Sequence, residues 1–427
     1  MTIKIKRVTI YRIVWTVFSF IMIFAPPIVP YIHLILAIFS ALLVLVKFRS
    51  TGKAVLVESG IYRWAWSIVI WLLYSFSIPL LVSALIGDII NISNYTQTIN
   101  RYGVLVFCTV FSGTAFLSFI REKNLPFFFF VECIIDAGII EAICSILAFF
   151  SPKIKNAFIF IMNRSGTGLY NNNWYITVRA FGLANTLVDL FGLGIAIIAG
   201  ICFIYGIMYK RRYILFSPFI AVSTLLNSRT GVLLYVLIVI VSSIYFFAQK
   251  RARYIIVATV ALIVLVTVTY VAMYYLATKS DTFKWVKSGL NSIVYFLKKW
   301  SVEDRTNSLG LVFYKNSWIL PDPIRTIIGT GHSLYRAEGY PHSDVGYINE
   351  IWISGIIGCA WLYSTQIKLA MRSIRGNVEL FRICSLAILI CYFVFNIKGA
   401  ALGFSPGGNV MILCLMGFSC FTSHEQS

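Results

Sequence analysis

A chain of 427 residues that is 59% hydrophobic, 16% aromatic and only 12% charged is not a water-soluble globule, since such proteins carry about a quarter charged residues. With a mean hydropathy of +0.84, much of its surface must face hydrocarbon, and the Trp and Tyr content suits membrane interfaces. The net charge of +20 does not point to nucleic acid, because about half of the Lys and Arg fall in short clusters between apolar runs, as cytoplasmic loops do under the positive-inside rule.

Those clusters are Lys4, Lys6 and Arg7; Lys47, Arg49 and Lys53; Arg121 and Lys123; Lys210, Arg211 and Arg212; Lys250, Arg251 and Arg253; and Lys368, Arg372 and Arg375. The basic N-terminus runs into an apolar stretch without a small-residue cleavage site, which predicts an uncleaved first helix. A span needs about 20 mainly apolar residues. On that measure helices are expected near 9–26, 28–46, 62–86, 103–120, 126–150, 184–208, 213–227, 230–248, 254–277, 345–366, 381–398 and 408–422. About twelve spans from an inside N-terminus put every basic cluster and both termini on the cytoplasmic side. The expectation is an all-α polytopic membrane protein, 1–427 forming a single membrane domain in a bacterial-type inner membrane. Its outer segments fall near 87–102, 151–183, 278–344 and 399–407.

The 278–344 segment, between the ninth and tenth spans, is too long for a connector, and loops of that length usually carry function. Within it, Phe283, Val286, Leu290, Ile293, Val294 and Leu297 share one helical face, the pattern of a helix lying in the membrane interface or of a lid packed on the bundle.

Familiar nucleotide and metal motifs are absent: there is no Walker loop, no GxGxxG and no HExxH. His33, His332, His342 and His424 are too few and too scattered for a metal cage, so ATP-driven and zinc-dependent mechanisms are disfavoured. The nine cysteines lie in or beside apolar segments and read as packing residues. Glu132 and Asp136, four apart on one helical face, suit either a polar cavity or pairing with Arg or hydroxyl groups between helices, with Glu141 pointing elsewhere and Asp189 in another span.

Two arginines stand at the expected outer boundary. Arg179 precedes a span in Arg179-Ala180-Phe181-Gly182, and Arg229 sits in Asn227-Ser228-Arg229-Thr230-Gly231. Each is either a snorkelling anchor or an anion ligand, and guanidinium forks suit phosphate oxygens. The basic outer loop, which includes Arg305, Arg325 and Arg336, shifts the balance toward an anionic substrate. Polar groups also crowd Gly339-Tyr340-Pro341-His342-Ser343-Asp344-Val345-Gly346-Tyr347, at the mouth of a helix that continues through Gly355 and Gly358. Ser343 or Asp344 is a possible helix cap, and the two glycines would admit a close neighbour.

Four stretches together resemble the O-antigen polymerase (Wzy-type) and O-antigen ligase superfamily. They are Arg179 to Gly182, Asn227 to Gly231, Ile327-Ile328-Gly329-Thr330-Gly331, and His342 through Gly358, in this order and with a large loop before the last helices. The likeness covers most of the chain from residue 170 onward. Eleven residues separate Ser343 from Gly355, where the ligase pattern has nine, and Ser343 to Tyr347 looks more polymerase-like.

The resemblance implies a GT-C-like membrane fold and an inverting, metal-independent glycosyltransferase that needs no cofactor. It would join oligosaccharide repeat units carried on undecaprenyl pyrophosphate at the periplasmic face, in contact with membrane lipid and with a chain-length regulator and a flippase as partners. Arg179 and Arg229 would clamp the pyrophosphate, and His342 or Asp344 would handle the acceptor hydroxyl. Arg305, Arg325, Arg336, Tyr340 and Tyr347 would gather and hold the substrate. A ligase transferring glycan to lipid A core, or a lipid-linked oligosaccharide flippase or proton-coupled transporter, are the rival expectations.

Overall fold

The computed structural model describes residues 2–86, 92–164, 179, 180, 182–184, 189–249, 315–333 and 343–424, with isolated positions 256, 260 and 284. Apart from those isolated positions, the expected span at 254–277 and the amphipathic stretch at 283–300 lie outside the described residues. What is described is 83% helix with no strand.

The helices are α1 (Thr2–Phe24), α2 (Ile32–Val46), α3 (Arg49–Glu58), α4 (Ile61–Ile86), α5 (Ile92–Glu122), α6 (Phe127–Phe150), α7 (Pro152–Arg164), α8 (Asp189–Met208), α9 (Arg212–Asn227), α10 (Arg229–Ala248), α11 (Pro323–Ile328), α12 (Gly346–Ile374), α13 (Glu379–Phe395) and α14 (Pro406–His424). Among the described residues five helices, α4, α5, α6, α8 and α10, are long and apolar enough to cross a membrane, or six if the bent pair α2 and α3 counts as one span. Val8–Phe24 and Pro406–Thr422 are shorter apolar helices.

Two segments expected to be connectors are helical instead. Residues 49–58 form α3, bent by 110° from α2. Arg49, Lys53 and Glu58 make this stretch too polar to prolong an apolar span. Its buried Gly52 and Val55 still pack inward, and Glu58 meets Arg121 of α5 at 2.7 Å. Residues 152–164 form α7, opened by Pro152 at the first helical position, where its missing N–H costs nothing.

The centre of the bundle is α8. It is apolar all round, as a fully buried helix must be, and Phe191 through Gly206 are buried. It packs against α6, α9, α10, α13 and α14. Close approach to α10 depends on Gly192 and Gly231: a Cβ added at Gly231 would lie 2.7 Å from the Cα of Gly192. Small residues of this kind let membrane helices touch backbone to backbone.

One helix is broken on purpose. Inside α12, Gly355 has φ 65 and ψ −179, a region open essentially to glycine alone. The break frees carbonyls from the helical ladder. Those of Trp352 and Ile353 accept the N–H groups of Thr330 and Gly331 at 2.6 and 3.0 Å. Gly329 and Gly355 are both required for this interlock. A Cβ on Gly329 would come within 2.6 Å of the Ile353 carbonyl, and one on Gly355 would overlap the Ile327 carbonyl. Of the two glycines expected to admit a close neighbour, Gly355 admits a loop, while Gly358 faces α4, its carbonyl accepting the Trp71 indole N–H at 3.0 Å.

Gly355→Ala is expected to destabilise the protein by about 1–3 kcal/mol through forced backbone strain. Gly103→Ala, where a new Cβ meets nothing nearer than 3.9 Å, should leave the melting temperature unchanged or raised. Thermal unfolding in detergent compares the two, and equal melting temperatures would refute the interlock.

Candidate functional site

The turn between α9 and α10 is a single residue, Ser228, in extended conformation. Its hydroxyl accepts the Gly231 N–H at 3.3 Å, capping α10, and donates to Asp189 Oδ1 at 3.1 Å. Thr230 Oγ1 donates to the same carboxylate oxygen at 3.1 Å. The Gly192–Gly231 contact makes this reach possible, since it brings the start of α8 against the start of α10. Asp189 thus stands at the first position of the apolar helix α8, as part of that candidate span, and it fixes the turn that presents Arg229.

The segment carrying Arg179 is tied to the same turn by its backbone. Ala180 N–H donates to the Leu226 carbonyl at 3.3 Å, and Asn227 Nδ2 donates to the Ala180 carbonyl at 2.6 Å. Arg179 itself is buried, 6% exposed. The following residues are held by Glu141 of α6, a fully buried carboxylate. It accepts the Leu183 N–H at 3.1 Å, and the Gly182 and Ala184 amides also point at it. The two arginine motifs, distant in sequence, are therefore neighbours at one end of the bundle.

Residues 396–407 connect this pair to the α12 entry. Pro406 and Gly407 pack on Gly194 and Leu193 of α8, Gly403 packs on Arg101, and Gly399 packs on Gly346. Arg101 Nη2 donates to the Ala400 carbonyl at 2.6 Å. At the α12 entry, neither Ser343 nor Asp344 caps the helix; the cap position is Val345, without a side-chain bond. Ser343 Oγ instead donates to the Ser317 carbonyl at 2.7 Å, and Asn349 Nδ2 donates to the Ser343 carbonyl at 2.8 Å. Asp344 is exposed and pairs with Lys398 at 3.1 Å. The Tyr347 hydroxyl is engaged by the Phe393 carbonyl at 2.7 Å. Arg325 lies on α11, where it meets Asp322 at 3.4 Å. His342, Arg305, Arg336 and Tyr340 lie outside the described residues.

Two residues at this end carry more than sequence reading assigns them. Glu350, fully buried one turn into α12, accepts from the Tyr363 hydroxyl and from Asn396 Nδ2, the latter at 3.3 Å. Asn396 Oδ1 in turn accepts the Ala401 N–H at 2.7 Å, so Glu350 orders the loop that joins the two halves of the site. His332 follows the interlocked Gly329-Thr330-Gly331 and lies against Trp352, ring centroids 5.8 Å apart. Burial pushes its pKa below the ordinary imidazole range. Its place beside a helix break was the missing signal, because scatter along the chain says nothing about depth.

At the opposite end, Glu132 and Asp136 do share a helical face, and they are neutralised there. Arg12 meets them at 2.7 and 2.6 Å, Lys210 pairs with Glu132, and the Tyr205 hydroxyl donates to Glu132 at 2.8 Å. They take the interhelical pairing role. No protein-family model and no curated protein matches this chain.

Asn227→Ala leaves the buried Ala180 carbonyl without its side-chain donor, which should cost about 1–3 kcal/mol of stability, read as a lowered melting temperature. His332, whose folded pKa is depressed, contributes stability that is complete above the unfolded imidazole value and is lost as pH falls through it. In isotope-labelled protein its NMR resonance, identified by its loss in His332→Gln, should titrate below that of an exposed histidine.

Proposed function

We propose that this chain is a polysaccharide polymerase: a glycosyltransferase that joins undecaprenyl-pyrophosphate-linked repeat units at the periplasmic face of a bacterial inner membrane. The observation that carries this reading is the pair of hydrogen bonds at Ala180, its N–H donating to the Leu226 carbonyl and its carbonyl accepting from Asn227 Nδ2, which brings the Arg179 and Arg229 motifs together at one bundle end. A diphosphate would match two guanidinium forks brought together in this way.

In this mechanism the acceptor hydroxyl oxygen attacks the anomeric carbon from the face opposite the diphosphate. The new glycosidic bond forms as the bond from that carbon to the pyrophosphate oxygen breaks, with inversion. The hydroxyl proton passes to His342 or Asp344, and Arg179 and Arg229 stabilise the charge gathering on the departing lipid pyrophosphate. Arg305, Arg325 and Arg336 gather the anionic donor and Tyr340 and Tyr347 line the sugar path. About twelve spans with 278–344 outside would set this end in the periplasm. A ligase would use the same arginines, whereas a proton-coupled transporter would need acids that titrate, and Glu132 and Asp136 are held in ion pairs with Arg12 and Lys210.

Purified protein in liposomes, given lipid-linked repeat units without metal or nucleotide, should produce a glycan ladder. Arg179→Lys and Arg229→Lys should each slow it by about 10²–10³-fold, because a point charge cannot reproduce the fork. Wild-type ladders from both variants would sink the clamp. Deleting the gene separates polymerase from ligase: single capped units accumulate in the first case, lipid-linked polymer in the second.

A further inference from the structure

The basic end of the bundle holds a concavity that the proposed chemistry does not use. Between α4 and α12 lies a cavity of about 830 Å³ lined by Arg63, Lys368 and Arg372, with Trp64 and Trp361 among its walls. A second, of about 540 Å³, shares Lys368 and Arg372 and adds Arg375. Four cations thus line adjoining spaces, and among the described residues no carboxylate lines either. The nearby acid Glu58 directs its carboxylate to Arg121 on α5.

The groove is built rather than incidental. Arg372 Nη1 donates to the Glu58 carbonyl at 3.2 Å, and its guanidinium fills the space that a side chain at Gly60, at φ +71, would overlap. A chain of hydroxyls ties the two helices across the floor. Trp361 Nε1 donates to Ser67 Oγ at 2.7 Å, and Ser67 Oγ lies 2.8 Å from Thr365 Oγ1. Further along the same helices, away from the cations, Ile70, Leu73, Ile356 and Ile357 are exposed. Converging cations beside indoles, hydroxyls and an open apolar wall match one ligand: a phosphate ester whose remainder is hydrocarbon.

We propose that the groove between α4 and α12 binds the headgroup of an anionic phospholipid, its phosphate among Arg63, Lys368, Arg372 and Arg375 and its acyl chains along the apolar faces above. Under the positive-inside rule this is the cytoplasmic leaflet. The site is independent of the polymerase reading, since it lies at the other end of the bundle.

The test is native mass spectrometry of the full chain in detergent with phosphatidylglycerol or phosphatidylcholine added. Wild-type protein should retain the anionic lipid preferentially, and Arg63→Gln/Lys368→Gln/Arg375→Gln should lose about fivefold in affinity per cation removed. Displacement of the lipid by millimolar inorganic phosphate would assign the site to soluble phosphate instead and overturn the lipid source. Equal retention of both lipids, or wild-type retention by the triple variant, overturns the site altogether. Should the variant fail to fold, a photoreactive phosphatidylglycerol on wild-type protein decides: crosslinks within 361–375 or 60–67 support the groove, and crosslinks confined elsewhere refute it.

Discussion

Backbone amides in hydrocarbon must find partners within the protein, and this constraint organises everything at the motif-bearing end of the bundle. The chain leaves helical geometry there at 179, 180 and 182–184, at Ser228 and at 329–331 with Gly355. Each departure is answered locally. Leu226 and Asn227 take up Ala180, Glu141 takes up the amides after it, and the carbonyls released by the α12 break take up Thr330 and Gly331. Irregular backbone among apolar helices survives only where it is buried in protein or lines a cavity. All three places coincide with stretches singled out in the sequence, which is why the proposed site is put here.

The acids follow the same logic. Asp189 holds two hydroxyls at the α10 turn, Glu141 holds backbone amides, and Glu350 holds Tyr363 and the Asn396 loop. At this end carboxylates shape turns and loops, through backbone amides at Glu141 and through side chains at Asp189 and Glu350. At the other end Glu132 and Asp136 meet cations directly and fasten α1, α6 and the α8–α9 turn together. The same residue type thus stiffens a scaffold at one end and shapes loops at the other, with partner chemistry deciding which.

Much of this was legible in the sequence because it depends on period and composition. Apolar runs gave the long helices, and the four-residue spacing of Glu132 and Asp136 gave their common face. The arginine motifs were visible as polar interruptions at span ends. What hid was whatever needs a partner distant in sequence. Arg12 looks like one more N-terminal cation until α1 lies against α6. Glu141 and Glu350 look like costly intramembrane acids until 182–184 and Asn396 reach them. The α12 break hid for a subtler reason, since Gly355 within Gly355-Ile356-Ile357-Gly358 reads as a helix-packing motif, and only the docked 327–331 segment reveals that its φ is positive. Short amphipathic α3 and α7 hid because polarity near a span end reads as loop.

The two ends also differ in what a phosphate would find. At the motif end the backbone beside Arg179 and Arg229 is irregular and is fixed by Ser228, Asn227 and Asp189, so a diphosphate bound there, as proposed, would meet cations on a main chain already held in place. At the basic end Arg63 and Lys368 project from regular helix surface and Arg375 from the end of α12 into an open groove, while Arg372 is tied to the Glu58 carbonyl at the end of α3. Preset geometry favours the discrimination of a transition state from a ground state. Long side chains on a helix face favour tolerant, exchangeable binding of many similar headgroups. On the two proposals, the contrast in how the backbone beside each arginine is held, more than the number of positive charges, would separate a reactive phosphate site from a resting one.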